Sequence, residues 1–248
     1  FLFFFLGAVA LAPFLLLEEV GSYAFMQGAA LGSSFYSVAF VFYIKSLAQG
    51  EASLVSPLYN FNIFFLALLA WFFLGEPLTA FKVGGLCLLL YGASYLNKQG
   101  HVLASLRAVA VDRSCQYMMI ASLLIALGRI MDKHFSAGVP PITYSFWLYI
   151  FVSAYMLVYL VALRRIGKVL ELLRERPGMS LLAGALNGFS YLLMVVAMSG
   201  LDVSVAEPMG LLGLVVTLLL SKIFFHEQVG QRMIGVLFMI GGGWLLCM

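Results

Sequence analysis

Long apolar runs alternate along this chain with short polar breaks. Nine such runs cover approximately residues 1–17, 22–44, 53–74, 79–97, 115–131, 142–163, 180–200, 204–225 and 230–248. About 20 apolar residues in a helix cross the hydrocarbon core of a bilayer. Backbone amides and carbonyls find no water there, so runs of this length predict helices that satisfy their own hydrogen bonds. The short alternating pattern of an outer-membrane barrel is absent. The breaks are brief except for NKQGHVLASLRAVAVDRS (97–114) and RRIGKVLELLRERPGMS (164–180). In the second, Leu170, Leu173 and the charges are spaced for a short amphipathic helix on the membrane surface.

Shifting the sequence by 151 positions brings its two ends into register without a gap. Ser53 meets Ser204, Pro57 meets Pro208, Phe73 meets Phe224, Glu76 meets Glu227, Gly84 meets Gly235 and Gly92 meets Gly243. An ordered set of this kind argues for duplication. The second, third and fourth runs match the seventh, eighth and ninth, and the first pairs with the sixth. The fifth has no partner, and its partner is expected upstream of Phe1. The parent unit is therefore five helices, used twice, with a first repeat over 1–97, a connecting loop over 98–114 and a second repeat over 115–248. Five is odd, so the copies cross the membrane in opposite senses. Inverted-topology repeats of this kind are a recurrent architecture of secondary transporters.

Composition agrees with lipid as the main solvent: 63% of the 248 residues are hydrophobic and 10% are charged, with a mean hydropathy of +1.04. A soluble domain needs more charged surface than this. No basic cluster interleaved with stacking aromatics points to nucleic acid. Cys87, Cys115 and Cys247 lie in or beside apolar runs without metal-ligand spacing, as do small core residues. The loops at 45–52, 98–114, 164–179 and 226–229, with their flanks, hold eleven of the fourteen Lys and Arg; Lys82, Arg129 and Lys133 belong to the other side. The positive-inside rule places the first set in the cytoplasm.

The pattern SPLYN…LAWFFLGEPLTAFKVGGLCLLLYGASYL resembles the EamA-type half of the drug/metabolite transporter superfamily, in which a spanning helix ends in Gly-Glu before the next begins. LDVSVAEPMGLLGLVVTLLLSKIFFHEQVGQRMIGVLFMIGGGWLL looks like the same unit again, and MDKHFSAGVPPITYSFW resembles the start of that second unit. The resemblance covers essentially the whole chain. It implies an all-α polytopic membrane protein with ten helices in two inverted five-helix repeats, of which nine are expected in this sequence, and the movement of small solutes, often outward. It also implies cytoplasmic termini, opposite to the charge distribution.

Candidate chemistry lies in polar groups that are costly to bury in a membrane. Glu76 and Glu227 stand where one helix stops and the next is about to start. There a carboxylate suits the free N–H groups of the following helix, with Pro77 in its first turn; the other reading is gating or proton coupling. The glycines after them, including Gly84–Gly85 and Gly241–Gly243, suit close helix packing. Arg129, Asp132 and Lys133 share one helix face, either as an Arg129–Asp132 pair at the membrane edge with Lys133 snorkelling, or with Arg129 contacting a substrate carboxylate or phosphate and Asp132 and Lys133 taking part in coupling or gating. Glu207 either caps the eighth helix or binds a proton. Ser33, Tyr36 and Tyr43 follow helical spacing, Asn60 and Asn62 interrupt the third run, and Asn187 and Tyr191 lie one turn apart. The helices equivalent to these line the central cavity in the resembling family, while interhelical hydrogen bonding is the alternative role. With Met194 and Met198 nearby, such a wall suits an amphipathic or aromatic solute.

His101, His134 and His226 lie far apart without ligand spacing, and no phosphate-cradling glycine loop is present. No nucleophile–base set suggests an enzyme, and no cofactor is expected. The expected partners are the lipid bilayer and a small-molecule substrate. The expected function is secondary active transport of small metabolites or amphipathic compounds by alternating access, as an exporter coupled to a proton or ion gradient in a bacterial or archaeal inner membrane. A passive facilitator or channel is the alternative.

Overall fold

The computed structural model describes residues 1–19, 21–93, 95, 107, 109–207, 210, 212–225 and 230–246. Among them are twelve α-helices and no strand: α1 (Leu2–Leu11), α2 (Phe25–Gln49), α3 (Ala52–Tyr59), α4 (Phe61–Leu69), α5 (Ala80–Ala93), α6 (Arg113–Phe135), α7 (Pro141–Ala162), α8 (Ile166–Glu175), α9 (Pro177–Gly200), α10 (Val203–Ala206), α11 (Leu212–Phe225) and α12 (Gly230–Leu246). Five described helical stretches are long and apolar enough to cross a membrane: Phe25–Gln49, Leu54–Leu74, Arg113–Phe135, Pro141–Ala162 and Pro177–Gly200. Leu2–Leu17, Ala80–Gly92 and Met233–Leu246 are shorter apolar helices. The helix expected in the 164–180 break is α8.

The first and third apolar runs differ from an unbroken α-helix, the first by tightening into a 3₁₀ helix over Ala12–Leu17. The third breaks at Asn60, between α3 and α4. Pro57 lies just before the break; it has no N–H, and its ring opposes the carbonyl of the preceding turn. Ser122 Oγ lies 3.0 Å from both the Leu58 and Tyr59 carbonyls and 2.8 Å from that of Met118, so its single O–H is shared among three acceptors. Of the eighth run, the described helices are α10 and α11. A π-turn over Ala70–Leu74 closes the third run at Gly75, whose φ of 68° is left-handed; glycine takes this conformation without a Cβ clash. Pro77 lies in the non-helical link that follows, before α5, and not in a first helical turn.

The chain forms two compact units, and each draws on both sequence repeats: Phe1–Ser37 with Met131–Gly200, and Val38–Ile130 with Leu201–Met248. In the first, α1 packs on α9 and α7. A Cβ on Gly188 would come 2.8 Å from the Gly7 carbonyl, and one on Gly7 would come 2.8 Å from the Tyr149 ring. Only glycine permits this approach. Phe4 meets Tyr149 edge to face at 5.3 Å. Glu18 accepts the backbone N–H groups of Ile142 (3.1 Å) and Thr143 (2.7 Å), and so caps α7.

In the second unit, α5 and α12 pack through glycines. A Cβ on Gly92 would lie 2.6 Å from the Gly235 carbonyl, and one on Gly85 would lie 2.5 Å from that of Gly242. As the number rises from 85 to 92 on one helix, it falls from 242 to 235 on the other, so the two run antiparallel. These helices are equivalents under the 151-residue shift, and the centre of their contact lies between Leu88 and Met239, themselves equivalents. Gly84 does not share this role: it faces open space, and its neighbour Gly85 makes the contact. Beside this pair, Leu58, Ile63, Leu89, Met118, Leu218 and Met239 form a core from which water is excluded.

Candidate functional site

Three short stretches of the second unit converge on one buried carboxylate. Glu207 follows α10 directly and is 7% exposed. Its Oε2 lies 3.1 Å from Arg129 Nε, from α6, and its Oε1 accepts a 2.6 Å hydrogen bond from Asn62 Nδ2, from α4. Arg129 is itself buried, and Asn62 is 1% exposed. Two opposite charges held this close offset part of the cost that burying either alone would carry. Asn62 Oδ1 has no hydrogen-bond partner among the described residues.

The short helix carrying Glu207 is fixed at its other end. Glu76 accepts the Val203 N–H (3.2 Å) and the Ser204 hydroxyl. Lys82 Nζ donates to Ser204 Oγ at 2.8 Å and lies 4.0 Å from Glu76. Glu76 therefore acts as a cap, as its position between helices predicted, but on a helix 127 residues away and not on the helix that follows it. The carboxylate meets one of the unsatisfied first-turn amides that any helix N-terminus leaves, together with a first-turn hydroxyl.

A second constellation lies in the first unit. Asp132, with no exposed surface, accepts three tyrosine hydroxyls: Tyr144 at 3.0 Å on Oδ1, and Tyr191 at 2.8 Å and Tyr36 on Oδ2. Hydrogen bonds to an ionised acceptor are the stronger class. The rings pack on one another, with Tyr36 and Tyr191 perpendicular at 6.3 Å and Tyr149 and Tyr191 at 5.1 Å. Lys133 Nζ donates to the Met198 carbonyl at 2.7 Å, in the last turn of α9.

Of the residues singled out in the sequence, Tyr36, Tyr191 and Asp132 come together in the first unit, and Arg129 and Glu207 in the second. Asn187 accepts Tyr149 Oη at its backbone carbonyl (3.0 Å), and its side-chain Nδ2 is buried without a partner among the described residues. Tyr43 is engaged in aromatic packing with Phe40 (5.5 Å) and Tyr59 (5.7 Å). Asn60 turns back on its own segment, toward the Pro57 carbonyl at 3.5 Å. Glu227 lies outside the described residues.

Tyr144, Ser204 and Lys82 took no part in the sequence reading of the site. A cation within an apolar helix was the available signal for Lys82; a tyrosine in a tyrosine-rich segment offers none. Asn60 and Asn62 point to different faces; the sequence favours Asn60 as the substrate contact, whereas Asn62 is the one on Glu207.

Membrane-spanning helices with charged side chains buried among them are a recurrent arrangement in membrane transporters. The chain belongs to the EamA-like transporter family, whose sequence model matches residues 1–98 and 113–248; it is thus an integral membrane transporter of the drug/metabolite superfamily. No curated protein is significantly similar to it. A solved structure described as "Crystal structure of protein" shares the fold with a TM-score of 0.68 at 15% identity, covering 98% of this chain and 85% of that one.

Proposed function

We propose that this protein exports small metabolites or amphipathic compounds by alternating access, driven by a proton or ion gradient, in a bacterial or archaeal inner membrane. The observation that carries the coupling is the Glu207 carboxylate, buried against Arg129 and Asn62. Protonating Glu207 would leave Arg129 an uncompensated buried cation, which costs several kcal/mol on the order of a broken buried pair. The protein would relieve that cost by moving to a state in which Arg129 meets water or a substrate anion. A ligand or proton shifts a conformational equilibrium only through such a difference between states. Glu76 and Lys82, which hold α10, support a gating role for the link between α4 and α5. Tyr36, Tyr191 and Asn187 supply aromatic surface and a spare amide donor, which suits an amphipathic or aromatic solute; Asp132 and Lys133 would set their geometry.

The test is transport of a mixed metabolite panel in proteoliposomes, with a pH gradient imposed or collapsed, beside Glu207→Gln. Accumulation against a gradient only when the pH gradient is present, and lost in Glu207→Gln, is expected. Equilibration regardless of gradient and mutation would leave a passive facilitator as the description.

A further inference from the structure

The helix α8 carries an apolar stripe that the rest of the chain covers only in part, with Val169 and Leu173 half-buried and Ile166 and Leu170 left exposed. Ile166, Val169, Leu170 and Leu173 recur at the spacing of one helix face. Ile166 and Leu170 are 40% and 54% exposed, and no residue of α8 is buried. Around the stripe, Arg164, Arg165, Lys168, Arg174 and Arg176 outnumber Glu171 and Glu175. The helix begins just beyond Ala162, where the spanning helix α7 ends, so it starts at the level of the lipid headgroups.

The junction between α7 and α8 adds a second observation. Arg165 N–H bonds the Leu160 carbonyl (3.0 Å) and Arg164 N–H bonds that of Val161 (2.9 Å). This is the closing turn that usually places glycine in the left-handed position. Here the residue is Arg164, with φ of 54°, the only non-glycine at positive φ among the described residues. A strained backbone position held by a bulky cation calls for a reason in the side chain.

We propose that α8 docks on acidic phospholipid. The stripe sinks into the acyl boundary, and Arg164, Arg165 and Lys168 bind the phosphates of anionic headgroups. Charge complementarity favours this occupant over a second copy of the chain, because two such helices face to face would oppose their cations. The proposal is independent of the transported substrate and of the coupling mechanism.

A full chain with Cys87, Cys115 and Cys247 replaced by alanine and Leu170→Cys carrying an environment-sensitive fluorophore tests it. The chain is reconstituted in phosphatidylcholine with or without phosphatidylglycerol, and lipid retained after detergent extraction is counted. The expected result is a blue-shifted label and retained phosphatidylglycerol in the acidic bilayer, both weakened by salt. Phosphatidylglycerol affinity should fall about fivefold for each cation removed. Arg164→Gly is the informative variant, because glycine suits the left-handed turn and preserves the backbone while removing the charge. A label that stays in water in both bilayers would overturn the proposal. So would unchanged phosphatidylglycerol retention in Arg164→Gly and in Arg165→Gln/Lys168→Gln, or disulfide-linked dimers of the Leu170→Cys variant left unlabelled.

Discussion

Gly92 and Gly235 meet backbone to backbone, close enough that a Cβ on either would lie 2.6 Å from the other's carbonyl oxygen. Together with Gly85 and Gly242 they let two repeat-equivalent helices cross at a distance no larger side chain allows. In lipid, where helices gain no hydrophobic drive to associate, such close van der Waals contact is a main source of cohesion.

Gly92→Ala and Gly85→Ala should therefore force α5 and α12 apart and cost about 1–3 kcal/mol each, the usual penalty of overpacking. Gly84→Ala is the control: it meets nothing within 4 Å, and alanine is the better helix former by about 1 kcal/mol. Thermal unfolding in detergent should lower the midpoint for the first two variants and leave it unchanged or raised for the third.

The ion pair between Glu207 and Arg129 predicts a coupled response. Glu207→Leu or Arg129→Met alone should cost about 3–5 kcal/mol, because each strands a buried charge. The double variant, with both charges gone, should be more stable than either single one. Denaturation of all four proteins gives the coupling energy; additive losses would mean that the pair is not mutually dependent.

Around Asp132, three hydroxyls serve one carboxylate. Tyr36→Phe or Tyr191→Phe should cost about 1.5–3 kcal/mol, as expected for one hydrogen bond to a charged group. Asp132→Leu should cost more, since it leaves the hydroxyls of Tyr36, Tyr144 and Tyr191 without this acceptor at once. Unfolding midpoints of these variants beside the unaltered chain would rank them.

At the start of α6, outside the spanning segment, Asp112 accepts the Ser114 hydroxyl and the Cys115 N–H (3.0 Å). The Ser114 hydroxyl first, and then the Cys115 amide, hold its carboxyl below the usual carboxylate range. A lowered value in the folded state means that this stabilisation is full above the ordinary carboxylate value and is lost as pH falls through the folded one. Asp112→Ala should cost about 1 kcal/mol at neutral pH and progressively less in acid. Asp112→Asn should keep most of the cap with little dependence on pH in that range. Chemical denaturation across the acid range measures both.

The helices are legible in the chain alone, because a helix closes its hydrogen bonds within four residues and the length and spacing of apolar runs report that local fact directly. The duplication and the amphipathic α8 are legible for the same reason, since both are written in spacing. Breaks and faces are not legible in this way: spacing groups Gly84 with Gly85 although only Gly85 makes the helix contact, and it puts Pro77 in a first turn although α5 starts at Ala80. Partners emerge only from the packed bundle. Glu76 caps α10 from 127 residues away, Asn62 reaches Glu207 across 145 residues, and Asp132 collects tyrosines from α2, α7 and α9. A carboxylate in an apolar run announces that some donor must satisfy it, since burying it alone is too costly. Which donor arrives depends on how helices distant in sequence pack, and no local pattern carries that information.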